Sequence, residues 1–257
     1  AEAALIPFGH QAGRMLASSA AHLPWMIADP VAGTAAVDEW YRPLATRDMP
    51  GVRLCLVVVP EVGGLHARSE IRTPEQLRGL RVRPAHATVN HWLSTLGTST
   101  VQVSVSETRE ALERGVADAV TMSWGTLVNA RLDAAVTHHL DEPMFAAGYA
   151  VVLNLERLQA LPPTLRRVLD EACAAPAAVR IAREWAQWEQ EGRQKLLAAG
   201  TGHTVVRLRP EERAAWKRSG DAVVKAWAED MRRAGQDPDK VLGDLRQALL
   251  RHQASVP

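Results

Sequence analysis

"RTPEQLRGLRVRPAHAT", residues 72–88, compresses a helix start, a stop and a short alternating strand into one segment. Thr73, Pro74 and Glu75 supply an N-cap, a proline suited to the first helical position and an early negative charge, so "PEQLRG" reads as a short helix ended by Gly79. "LRVR" then alternates for two periods until Pro84 ends it. Arg81 and Arg83 fall on one face of this strand, with Leu80 and Val82 on the other. "PAHAT" is the turn and helix entry that follow.

Working outward, "ATVNHWLSTLG" has helical spacing and a terminal Gly97, "VQVSV" reads as a strand, and Ser106–Gly115 as a capped helix. "ADAVTMSW" is another strand, "GTLVNARLDAAV" a helix, and "AGYAVVLNLERLQAL" a strand running into a turn. Upstream, "AALIPFG" (3–9) reads as a short buried strand stopped by Pro7 and Gly9. "PVAGTAAVDEWYRPLA" is a loop leading into a helix, with Asp38 and Glu39 favourable near its start. The apolar run "VRLCLVVVP" (52–60), bounded by Gly51 and Pro60, suits a strand buried on both faces of a mainly parallel sheet. Strands alternating with helices predict an α/β architecture. Residues 164–199 form a long helical stretch that Pro176 should kink or divide. "HTVVRL" suits one more strand, and the chain from Pro210 is helical, with Trp216, Val223, Trp227 and Met231 on one apolar side.

Charge narrows the function classes. Lys+Arg 30 against Asp+Glu 29 leaves a formal net charge of +1, which gives no reason to expect nucleic acid, since phosphate binding relies on clustered cations. No run approaches the roughly 18 to 20 apolar residues that span a bilayer, so the chain reads as not itself membrane-spanning. Cys55 and Cys173, far apart in a strand and a helix, read as two buried free thiols, with a disulfide as the alternative.

Catalytic signatures are scarce: there is no GxSxG, HExxH, CxxC or Walker loop. Gly63 and Gly64 read as a pair in a turn. His138 and His139 are adjacent, so on a strand they point to opposite faces, a poor start for a metal site. No metal or other cofactor is expected. Arg83 has two readings. It belongs to a solvated strand face, or, at the strand's carboxyl end, it projects into the crevice where open α/β sheets bind ligands. A guanidinium there would match a carboxylate with two parallel hydrogen bonds.

The order of "IRTPEQLRGLRVRPAHAT", "LGTSTVQVSVSETREALERGVADAV" and "LNLERLQALPPTLRRVLDEA" resembles the substrate-binding proteins of tripartite ATP-independent periplasmic (TRAP) transporters. "AEAALIPFGHQAGRM" and "LPWM" resemble the segment after that family's second strand. The resemblance implies a two-lobed, type II periplasmic-binding-protein-like α/β fold with a long helix shared between lobes. Lobe I would comprise 1–62 plus 148–187, and lobe II 63–147 plus 188–257. The family usually begins with roughly 60 further residues, and without that strand, helix and strand a sheet edge and part of the first lobe's core would be exposed.

By the same resemblance, Arg83 pairs with the ligand carboxylate. Trp124 in "ADAVTMSWG" shapes the apolar part or lies as a core tryptophan beneath the cleft. Ala119 and Gly125 depart there from the family's glycine and glutamate, and "VGGLHARS" lacks the second arginine of sialic-acid-binding members. His10, Gln11, Arg14, His66 and His86 are candidates for further polar contacts. The expected function is a periplasmic solute-binding protein that takes a small organic acid to TRAP membrane subunits, with no bond made or broken. The alternatives are a truncated or repurposed ligand sensor, and an enzyme using His66 or His86 as general base beside Arg83.

Overall fold

The apolar run that begins at Val52 does not stop at Pro60. The computed structural model describes residues 1–8, 15–198 and 202–257. In chain order the elements are β1 (Ala3–Pro7), a 3-10 turn (Ser18–His22), α1 (Pro30–Asp48), β2 (Val52–Ala67), a 3-10 turn (Pro74–Leu77), β3 (Arg81–Arg83), α2 (Ala87–Thr95) and β4 (Ser99–Thr100). They continue with α3 (Val105–Glu113), β5 (Ala119–Met122), α4 (Trp124–Asn129), β6 (His138–Asn154), α5 (Leu155–Gln159) and α6 (Pro163–Ala172). The last are α7 (Ala175–Ala198), β7 (Thr204–Val206), α8 (Pro210–Ser219), α9 (Asp221–Arg233) and α10 (Pro238–Arg251).

Among the described residues the strands form one seven-stranded sheet, ordered β1-β6-β2-β5-β3-β4, with β7 pairing β6. β2 is antiparallel to both its neighbours, which corrects the expectation of a mainly parallel setting. Parallel pairing is confined to β3 with β4 and β5, and to β6 with β7. A continuous apolar run reports that both faces are covered and says nothing of strand direction. Val57 and Val59 face one core, while Leu56 and Val58 face another. The strand passes Pro60 because its register with β6 shifts between Val58 and Glu61, and at a bulge a missing N–H leaves no ladder bond unmade.

Three further expectations change. Among the described residues β1 pairs only with β6, and Leu5 is 58% exposed, so the strand is an edge and not a buried element. "VQVSV" contributes only Ser99–Thr100. After Val101 N donates to Val82 O the chain leaves the sheet, and Val101 and Val103 pack on the core around Leu112 and Val120. Gly63 and Gly64 lie inside β2 and not in a turn, for a reason of close approach: a Cβ on Gly64 would stand 2.1 Å from Leu140 O.

α1 starts at Pro30, capped by Asp29, whose Oδ1 accepts from Ala32 N at 2.7 Å. Asp38 therefore sits in mid-helix, and it is buried. It accepts from Arg42 at 2.8 and 3.0 Å and from the backbone N of Val57 at 2.8 Å, while Thr34 Oγ1 accepts from Val59 N at 2.8 Å. The helix thus supplies acceptors for strand amides next to the bulge, where they would otherwise be buried without partners.

Pro176 divides the long helical stretch as expected. α6 ends at Ala172, and the proline falls in the first turn of α7, where its missing N–H is no loss. α7 packs on α1 and β2 and on α4, so it is shared between the two lobes that β2 and β6 also link. Indole N–H groups tie the C-terminal helices down: Trp216 donates to Arg72 O (2.8 Å), Trp92 to Ser219 Oγ (3.0 Å) and Trp227 to Leu16 O (2.9 Å). Trp40 of α1 donates to Val241 O of α10 at 3.1 Å.

Cys55 and Cys173 form a disulfide, which overturns the expectation of two free thiols. They are 118 residues apart in sequence, yet the end of α6 returns over β2 and brings their Cα atoms to 4.5 Å. Replacing both by alanine lowers the unfolding free energy by about 2–5 kcal/mol, as expected for a bridge closing a long loop. Urea midpoints with and without reductant check this, and equal midpoints contradict it. Gly64→Ala lowers stability by about 1–3 kcal/mol, because the atom it meets is backbone and cannot give way. Gly243→Ala on α10, where an added Cβ meets nothing within 4 Å, raises it by up to about 1 kcal/mol.

Candidate functional site

The two arginines of β3 share a strand face and have different partners. Arg81 is exposed and meets Asp118 through two parallel bonds, Nε to Oδ2 at 3.0 Å and Nη2 to Oδ1 at 2.7 Å. Arg83, half-buried where β3 runs beside β5, donates from Nε to Val103 O at 3.3 Å. Among the described residues no carboxylate lies within 4.0 Å of its guanidinium. Burial draws Arg83 below its ordinary range, and the charge of Glu61 works against that shift.

Glu61 follows the Pro60 bulge of β2. Burial, reinforced by the neighbouring Glu189, pushes its carboxyl up to about 7, against the hydrogen bond with Tyr149 and the charge of Arg83. Tyr149 on β6 is itself raised, first by burial and then by the charge of Glu61, and its ring stacks on Trp185 of α7 at 6.5 Å. Glu189, one turn further along α7, accepts from Ser123 Oγ at 2.9 Å and from Gly125 N at 2.5 Å, yet burial still raises its carboxyl. An arginine, two carboxyls inclined to hold protons, a tyrosine and a tryptophan therefore converge from β3, β2, β6 and α7. The turn after Arg83 is fixed by Thr121, whose Oγ1 accepts from Ala85 N at 2.8 Å and donates to Arg83 O at 3.4 Å.

Beside this cluster lies a cavity of about 420 Å³ between the crossing strands and α7. Trp124, Asp141, Glu189 and Arg193 line it, with Gly63 and Gly64 opening space on the strand side. Arg83 does not line it; Glu189 belongs to both surroundings. Trp124 is 93% enclosed yet lines the cavity. Its Nε1 donates to Asp141 Oδ1 at 2.8 Å, and Arg193, bonded to Asp141 Oδ2 at 2.6 Å, lies 5.7 Å over the indole. The tryptophan is thus a packed residue that also lines the cavity.

The hydrogen bonds described for His66 and His86 go to groups other than Arg83. His86 caps α2, and its Nε2 donates to Ala146 O at 3.1 Å, with its ring 4.4 Å from that of His22 and 5.7 Å from Phe145. His66 is fully buried behind Trp124, its ring 4.9 Å from the indole. His10, Gln11 and Arg14 lie outside the described residues. Among the described residues no group of three His, Cys, Asp or Glu side chains is arranged to hold a metal ion. Sequence reading passed over Glu61, Tyr149, Glu189, Asp141 and Arg193. The signal for Glu61 was present, a single carboxylate set between an apolar strand and a glycine pair.

A family model described as bacterial extracellular solute-binding protein, family 7 (DctP), matches residues 56–230. Among solved structures, a TRAP solute-binding protein from Rhodoferax ferrireducens in complex with copurified benzoate superposes with a TM-score of 0.88 at 24% identity, over 98% of this chain and 80% of that one. A TRAP periplasmic solute-binding protein from Bordetella bronchiseptica with bound (R)- and (S)-mandelate gives 0.85 at 20% identity, over 97% and 80%. The periplasmic ectoine-binding protein from a TRAP transporter of Halomonas elongata gives 0.81 at 17% identity, over 97% and 82%. No helix among the described residues is long and apolar enough to cross a membrane.

Proposed function

This chain belongs to the bacterial extracellular solute-binding proteins of family 7, and on that premise we propose that it binds a small organic carboxylate between its lobes, in the periplasm, and passes it to the membrane subunits of a TRAP-type transporter. No bond is made or broken in this role. The observation that carries the reading is Arg83: a half-buried guanidinium at the carboxyl end of a strand, with no carboxylate ion pair among the described residues. Removing a guanidinium from water without an anionic partner is unfavourable, and a ligand carboxylate offering two parallel hydrogen bonds offsets that penalty. Arg81 is unsuited to the role because Asp118 already occupies its fork.

The benzoate and mandelate carried by the relatives are aromatic acids. Trp124 and the Tyr149–Trp185 stack offer apolar surface on which such a ring would lie. His66, His86, His10, Gln11 and Arg14 stand as further polar contacts on sequence grounds. We take the lobes as 1–62 with 148–187 and 63–147 with 188–257; the register shifts of β2 against β6 after Val58 and after Gly63 support a division near there, and α10 braces α1 across it. A ligand that touches both lobes favours the closed state by its differential affinity.

Two measurements follow. Calorimetry against benzoate, mandelate and related acids shows Arg83→Ala weakening binding by about 30- to 1,000-fold, the loss expected when one partner of a buried charge pair is removed. Equal affinity in wild type and variant overturns the anchor. The second concerns pH. Glu61 holds its proton below about 7 and is an anion above it, whereas a typical ligand carboxylate is ionised throughout, with a pKa of about 4. Affinity therefore falls as pH rises from 6 to 8, and Glu61→Gln binds with a flat pH profile and more tightly at pH 8. A wild-type profile already flat over that interval shows that Glu61 does not face the ligand.

A further inference from the structure

His66 and His139 face each other across the crossing strands, and His203 meets His139 from the segment before β7. His66 Nε2 lies 3.0 Å from Met122 O, His66 Nδ1 lies 2.9 Å from His139 Nδ1, and His139 Nε2 lies 3.0 Å from His203 Nδ1. Both His66 and His139 are fully buried. We propose that these three histidines form a relay with a single allowed proton arrangement, that the relay positions Trp124 on the cavity wall, and that acidification releases it.

The arrangement follows link by link from which atoms can donate. A carbonyl oxygen only accepts, so His66 carries its proton on Nε2. Neutral His66 then has a lone pair on Nδ1, and the 2.9 Å contact requires His139 to carry its proton on Nδ1. Neutral His139 is left with a lone pair on Nε2, so His203 donates from Nδ1. The two buried neighbours are therefore opposite tautomers. A second proton on either turns an acceptor into a donor facing another N–H unless the partners beyond it exchange tautomers in turn as far as His203, so acid either reverses the relay or turns a ring.

Trp124 registers such a turn directly. Its ring lies 4.9 Å from both histidine rings, at 72° to His66 and 48° to His139, with Arg193 on it and Asp141 holding its Nε1. Asp141 and His138 on β6, His203 before β7 and Arg193 on α7 are the titratable or charged groups around the pair, with Met122 O from β5. Burial pulls His66 down to about 4, with the Met122 bond and Asp141 opposing. Burial, then His66, His203 and His138, pulls His139 down to about 3. Both values lie below the unfolded value of about 6.5. The stability held by the neutral relay is therefore full above that pH and is lost as pH falls toward 4 and then 3.

The consequence, an acid-sensitive ligand wall, rests on the binding reading; the relay itself is tested without ligand, so the two fail separately. Nitrogen-15 NMR of the ligand-free protein at pH 7.5 is expected to show His66 protonated on Nε2 and His139 on Nδ1. On acidification below 6 the Trp124 indole N–H should shift together with the His139 nitrogens. His203→Ala, which opens His139 Nε2 to water, should move that shared transition up by about one pH unit. Identical tautomers on His66 and His139, an indole signal that titrates independently of them, or a transition unmoved by His203→Ala overturns the proposal.

Discussion

β2 and β6 lie antiparallel from the pair Val52 and Asn154 to the pair Ala67 and His138, and both strands pass between the lobes. Every functional feature hangs on this crossing. The bulge after Val58 aims Glu61 toward Arg83, and the same length of β6 brings Tyr149 and Asp141 to α7. At Gly63 an added Cβ would meet the Phe145 ring at 2.4 Å and Met122 O at 2.7 Å, so β5 and β6 close on the strand from both sides. A crossing that tight leaves little freedom to slide, and two of the three register shifts between β2 and β6, after Val58 and after Gly63, fall beside the cavity.

The cleft chemistry is a matter of charges kept incomplete. Arg83 retains a half-buried positive charge with, among the described residues, only a backbone carbonyl at hydrogen-bond distance. Its carboxylate neighbour does not cancel it fully, because burial and the nearness of Glu189 favour the protonated form of Glu61. In a site built for structure alone, the pairing of Arg81 with Asp118 would be repeated one step along the strand. Under the function proposed here, an incompletely paired cation beside a reluctant anion leaves room for a guest anion and would link that guest's affinity to pH.

Local pattern made much of this legible. Capping and alternation in residues 72–88 placed the 3-10 turn, β3 and the start of α2, and Pro176 marked the division between α6 and α7. Alternation placed Arg81 and Arg83 on one face but had no access to Asp118, which takes one arginine and leaves the other. What pattern missed depends on segments distant in the chain. The disulfide joins residues 118 apart, and the glycine pair is explained only by neighbouring strands. Adjacency correctly sends His138 and His139 to opposite faces, but the true companions of His139 are His66 and His203, from two other segments.

The cleft and the cavity beside it offer an anion two different cations, Arg83 and Arg193, and Arg193 already holds Asp141. A crystal structure with bound benzoate or mandelate separates them. The carboxylate is expected on the Arg83 guanidinium, both oxygens at hydrogen-bond distance, with Glu61 turned toward it and Arg193 still on Asp141. A carboxylate seated on Arg193 in place of Asp141, with Arg83 bonded only to Val103 O, would contradict the assignment of Arg83 as the anchor.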